Sequence, residues 1–211
     1  MGLLINMKLE DGCQLGLWEI VEDYETLFQT TYLNDDDIHR LNTFKNIDRK
    51  IESLSVRALL QQLTRPDARI VYFGRSRKPY IDDSSYNISV THSHKYTAIM
   101  LSKDKQVGID VEYMTNKIDR IAHKFINERE VVSNDPQERL KHLYIHWCAK
   151  EALYKISNKE DINFKENLCI KPFEIATQGC ITGIVNNHSR NEEYNIHYIF
   201  ENNYILAYCA K

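Results

Sequence analysis

Acidic and basic side chains with spacings that suit catalysis stand at several places along the chain. In Val107-Gly-Ile-Asp-Val-Glu-Tyr113 apolar and polar residues alternate, the two-residue period of a strand. Val107, Ile109, Val111 and Tyr113 fall on one face, and Asp110 and Glu112 on the other beside Gly108. Two carboxylates so placed can share a hard cation such as Mg2+, or they can be the water-facing side of an amphipathic strand. The second place is a helical segment from about Pro136 to Ser157. At 100° per residue, Leu140, Leu143, Tyr144, Trp147 and Tyr154 gather into one stripe, and Glu151 falls inside it with Lys155 one turn on. A carboxylate on a buried stripe is costly unless a cation or metal compensates it. Lys155 supplies that cation as a structural ion pair, or Glu151 is a metal ligand or general base facing a cleft. Lys150 is expected at the stripe's edge, within reach of a phosphate or of water.

Cations and histidines complete the set. Arg75, Arg77 and Lys78 precede Pro79; with Arg49 and Arg57 they form either an anion cradle or a solvated basic turn. His92 and His94 make an HxH pair, and His142 and His146 are four apart on the long helix, which admits a zinc hydrolase as a rival reading. On the helical wheel His146 lies off the stripe, so that pair is expected to face solvent.

The elements that must position these groups follow from periodicity and turn chemistry. Leu3–Leu9 and Leu15–Val21 read as strands across an Asp11-Gly12 turn, followed by a polar stretch with Asp35, Asp36 and Asp37. A helix is expected from Asp48, as its cap, to Leu63, with Ile47, Ile51, Leu54, Ala58 and Leu59 inward and Arg49, Lys50 and Arg57 off that stripe. Strands are expected at 69–73, 88–91 and 96–102, with 103–106 as a hairpin turn returning into 107–113. A helix at about 119–127, the long helix with Pro136 in its first turn, and two to four terminal strands complete an α+β pattern.

Composition narrows the function classes. The 211 residues are 43% hydrophobic and 27% charged with a net charge of −3, an ordinary globular balance without the basic field of a nucleic-acid binder. The seven glycines cannot be assembled into a P-loop or a dinucleotide fingerprint. No membrane span or signal segment is read. Five cysteines without a CxxC read as reduced thiols, so a cytoplasmic setting is expected.

Taken together, three segments resemble the 4′-phosphopantetheinyl transferase superfamily in its longer, Sfp type. Val107–Glu112 is similar to its (V/I)G(V/I)D(I/V)E strand. Trp147-Cys-Ala-Lys-Glu-Ala-Leu-Tyr-Lys155 is similar to its W(S/T)xKE(A/S)xxK helix. Lys78-Pro79-Tyr80 with Asn87–Ser93 is similar to its GKP…NIS(H)S segment. Cys148, Thr91, His94 and Arg77 depart from the common residues, which are Ser or Thr, Ser, Gly and Gly respectively. The resemblance implies two similar, pseudo-twofold lobes, 1–105 and 106–211, each a small mostly antiparallel sheet packed with helices, with the site in the cleft between them. It implies transfer of the phosphopantetheine arm of coenzyme A to a serine of an apo acyl or peptidyl carrier protein. Asp110, Glu112 and Glu151 would hold Mg2+, with Glu151 as base and Lys155 stabilising the departing phosphate. Arg49, Arg57, Arg75, Lys78, Thr91, His92, Asp110, Lys150 and Lys155 would contact coenzyme A. The 114–125 segment, through Ile118, Ile121 and Phe125, would touch the carrier or else pack on its own core. One chain carries both halves, so a monomer is expected. A non-catalytic carrier-binding protein is the remaining alternative.

Overall fold

The computed structural model describes residues 2–73, 78–157, 162–187, 190–201 and 203–211. The first strands, β1 (Leu3–Lys8) and β2 (Gln14–Glu19), pair antiparallel across a turn in which Gly12 takes φ +83°, a left-handed conformation that glycine enters without a Cβ penalty. The polar stretch after them is helical: α1 (Tyr24–Thr30) is capped by Asp23, and α2 (Asp35–Thr43) by a reciprocal box between Asn34 and Asp37. That box satisfies two of the backbone N–H groups that a helix start leaves open. Its Asn-x-x-Asp spacing is the signal that reading by hydrophobic period passes over. Helix α3 (Ile47–Leu63) is capped by Asn46 rather than Asp48. Strands β3 (Ile70–Phe73) and β4 (Lys78–Ile81) pair with each other as a two-stranded sheet, and β5 (Asn87–Ser93) and β6 (Tyr96–Ser102) follow. The four-stranded sheet runs β1-β2-β6-β5, and Leu54, Leu59, Leu60 and Leu63 of α3 share its core with Trp18, Ile99 and Leu101.

The 103–106 segment is not a hairpin turn. Both edges of β6 are already taken, by β2 and β5, so the next strand, β7 (Val107–Tyr113), starts a second sheet. A 3-10 helix (Ile118–Lys124) stands where a longer α-helix was expected. Helix α4 (Pro136–Ile156) begins at an Asp135 cap with Pro136 in its first turn. Strands β8 (Leu168–Ile170), β9 (Gln178–Asn187), β10 (Arg190–Glu201) and β11 (Tyr204–Ala210) complete an antiparallel sheet ordered β7-β11-β10-β9-β8. The chain thus divides into two compact units, Met1–Lys105 and Gln106–Lys211, and is α+β with antiparallel sheets packed with helices. Among the described residues no helix is long and apolar enough to cross a membrane.

Candidate active site

In the second unit β7 lies against α4 at very short range. A Cβ on Gly108 would fall 2.1 Å from the Ala152 carbonyl oxygen, so only glycine allows strand and helix to come this close. Asp110 and Glu112, two and four residues further along, meet donors from the same helix. Lys155 Nζ donates to Asp110 Oδ1 at 2.7 Å and to the Ile109 carbonyl at 2.8 Å. Trp147 Nε1 donates to Glu112 Oε1 at 3.1 Å. Glu151 is four residues from each of these two donors, on the same helical row. The row 147–151–155 therefore runs along the pair 112–110, and Glu151 is carried on the turn between the two contacts.

The helix is buried far more widely than one stripe. His142, Leu143, Ile145, His146, Ala149, Lys150, Leu153 and Ile156 are buried, whereas Leu140, Trp147, Glu151, Tyr154 and Lys155 are partly exposed. Glu151 thus sits on the more open side of α4, where a carboxylate costs less. His142 and His146 do not face solvent: both are buried, with Phe173 against their rings. Lys150 corrects the phosphate-binding role expected of it. Its side chain is 0% exposed and donates to Glu130 and to the Phe125 carbonyl, so it has no reach to a ligand; burial pulls its ammonium down against the pull of Glu130. Ile118 and Phe125 are likewise core residues, with Ile121 packed against the same core. The docking role expected of Ile118 and Phe125 fails for lack of surface.

In the first unit α3 and β5 bring two of the expected cationic groups together. Arg49 Nη1 and His92 Nε2 stand 3.5 Å apart, and Glu52, which sequence reading missed, faces both, at 2.9 Å from Arg49 Nη1 and 3.6 Å from His92 Nδ1. Thr91, the residue before His92, is buried; Lys78 is part-exposed at the start of β4. Arg57 is a correction. It is 2% exposed and gives two hydrogen bonds to Asp37 Oδ1, at 3.2 and 3.0 Å, and one to Ser53 Oγ at 2.8 Å, while Arg69 holds Asp37 Oδ2 at 3.2 Å. It ties α3 to α2 and is closed to a ligand. Arg75 and Arg77 lie outside the described residues.

Residues 106–209 match the family model described as the 4′-phosphopantetheinyl transferase superfamily. The second half of the chain belongs to that superfamily. The match takes in both the carboxylate strand and the α4 motif, and it extends over the terminal strands, which carried no motif of their own. No curated protein matches the chain.

Two of the departures from the superfamily's usual residues, Cys148 and His94, have physical causes in the fold. Cys148 is fully buried, its Sγ 3.8 Å from the Ile205 carbonyl. Burial, with Asp110 and Glu112 adding to it, pushes its thiol well up, so it stays protonated and inert. His94 takes φ +53° in the β5–β6 turn, the left-handed region that explains why glycine suits this position.

The family implies a divalent metal. Asp110, Glu112 and Glu151 are hard oxygen donors of the kind Mg2+ takes. Among the described residues no three His, Cys, Asp or Glu side chains are grouped so as to hold a metal by themselves. Mg2+ does not require such a cage: it keeps waters, takes one or two carboxylates and completes its shell with substrate phosphates. The donor chemistry fits that mode. His92 and His94 belong to no such group, and the ring nitrogens of His92 face Arg49 and Glu52.

Proposed function

We propose that the protein is an Sfp-type, monomeric and cytoplasmic phosphopantetheinyl transferase, moving the phosphopantetheine arm of coenzyme A to a serine of an apo acyl or peptidyl carrier protein. The observation that carries this reading is the matched row: Trp147, Glu151 and Lys155 of α4 laid along Glu112 and Asp110 of β7. Mg2+, held by Asp110, Glu112 and Glu151, would neutralise charge on the diphosphate. Glu151, on the open side of α4, takes the proton of the carrier's serine hydroxyl, directly or through water. The serine oxygen bonds to the phosphorus that carries the pantetheine arm, and the bond to the bridging oxygen breaks. Lys155 donates to the departing phosphate, and adenosine 3′,5′-bisphosphate leaves. Asp110 Oδ1 keeps the Lys155 ammonium in place for that role. Arg49, Lys78 and His92 of the first unit serve the remaining phosphates of coenzyme A, with Arg75 as a further contact.

The test is incubation with coenzyme A, Mg2+ and an apo carrier, read by intact-protein mass. A phosphopantetheine-sized increase on the carrier, absent when its serine is replaced by alanine, is the expected result. A carrier that binds without gaining mass would leave a non-catalytic binding protein instead. Tightly bound stoichiometric zinc would favour the hydrolase.

A further inference from the structure

The buried pair Glu130–Lys150 takes no part in this chemistry. Both side chains are 0% exposed, with Lys150 Nζ 2.7 Å from Glu130 Oε2. The same ammonium donates to the Phe125 carbonyl. Glu130 also accepts from Asn127 N at 2.9 Å and from Ile170 N at 2.8 Å. One ion pair therefore ties together the 125–130 segment, α4 and the end of β8. As a source of stability it is weak, because apolar residues of similar volume do as well or better than a buried ion pair. What it supplies is a fixed geometry.

That geometry leads to the site. Phe125, whose carbonyl Lys150 holds, sets its ring edge-on against the indole of Trp147, with centroids 5.1 Å apart and planes at 68°. Trp147 Nε1 is in turn the donor to Glu112 Oε1. The path is continuous: Glu130 carboxylate, Lys150 ammonium, Phe125, Trp147 indole, Glu112 carboxylate. Lys150 also adjoins Glu151, so the clamp fixes the turn of α4 that carries it.

We propose that Glu130 and Lys150 are positioning residues for the carboxylate site, acting through Phe125 and Trp147 on Glu112. What the site does rests on the transferase reading; the positioning itself does not.

The test uses the full chain with Trp18→Phe, which leaves Trp147 as the sole tryptophan of the two. Lys150→Met alone strands a buried carboxylate and is expected to destabilise the fold. The double variant Glu130→Gln/Lys150→Met removes both charges and is expected to unfold in urea near the parent's midpoint. In it, acrylamide should quench Trp147 about twofold more strongly, and the Mg2+ concentration that half-changes Trp147 emission should rise about 10-fold, the scale typical of lost outer-shell support at metal sites. Turnover should fall with the KM for coenzyme A unchanged. If the double variant does not fold, Phe125→Leu, which keeps the ion pair and removes the ring, is expected to give the same quenching and Mg2+ shifts. Parent-like quenching and Mg2+ response in the folded variant would overturn the proposal. Altered quenching in a protein whose parent transfers nothing to any carrier would sink the transferase reading and leave the positioning standing.

Discussion

Glu151 stands one turn from Trp147 and one turn from Lys155, the two residues whose donors reach the strand carboxylates. Its side chain is partly exposed, so an amide in its place is accommodated without a large desolvation cost. Glu151→Gln should therefore keep the parent's denaturation midpoint while turnover falls by about 10²–10⁴-fold, the usual worth of a positioned acid or base; near-normal turnover would remove Glu151 from the mechanism. The two arginines of α3 separate binding from stability in the same way. Arg49 is largely exposed beside His92, so Arg49→Ala should raise the KM for coenzyme A and leave kcat and stability nearly unchanged. Arg57 is buried on Asp37. Arg57→Ala should cost about 3 kcal/mol in urea denaturation, at the low end for a broken buried pair because Arg69 still holds the other oxygen of Asp37. A KM effect without loss of stability would reverse that assignment.

At the scale of elements, the approach of β7 to α4 is the feature the site depends on. With the Ala152 carbonyl 2.1 Å from where a Cβ would be, the atom in the way is backbone, and only a shift of the whole helix relieves it. Gly108→Ala should destabilise the protein by about 2 kcal/mol or more, in the range of overpacked cores, and should weaken Mg2+ response by moving the 147–151–155 row off the strand. An alanine variant with parent-like stability and Mg2+ response would show that the contact is not tight. Much of this pairing is legible in the chain: the two-residue period of Val107–Tyr113 separates Asp110 and Glu112 from the apolar face, and helical spacing puts Glu151 and Lys155 on one row. What is not legible is what covers each face. Lys150, Arg57, His142 and His146 are polar, so a helical wheel sends them to water. Glu130, Asp37, Phe173 and the 3-10 helix, distant in sequence, enclose them instead. Local period reveals which residues share a face; only tertiary packing reveals that α4 is enclosed on all but one partly open side. The helices at 24–43 were missed for the opposite reason, since their signal lies in caps rather than in an apolar stripe.

For the molecule as a whole, burying imidazoles in the second unit makes its stability depend on pH. His146 Nδ1 hydrogen-bonds the His142 carbonyl, and its buried Nε2 has no hydrogen-bond partner among the described residues. Burial pulls its pKa down to about 4, with His142 and Lys150 adding repulsion. Burial also lowers His142, whose Nδ1 accepts from Ser133 N at 3.0 Å. A group whose folded pKa lies below its unfolded value binds protons first in the unfolded chain, so acid favours unfolding. The contribution is whole above the ordinary histidine pKa near 6.5 and is lost progressively as pH falls toward about 4. For His146 alone the full span is about 3 kcal/mol, at 1.36 kcal/mol per pH unit. In the Trp18→Phe background, urea unfolding followed by the emission of Trp147, which belongs to the same unit, should show the midpoint dropping between pH 7 and pH 5. His146→Gln removes the titrating group and leaves His142 and the carboxylates, so its midpoint should fall clearly less over that interval, whatever its starting stability. Parallel curves for the two proteins would mean that acid sensitivity arises elsewhere in the chain and that the buried imidazole is not its source.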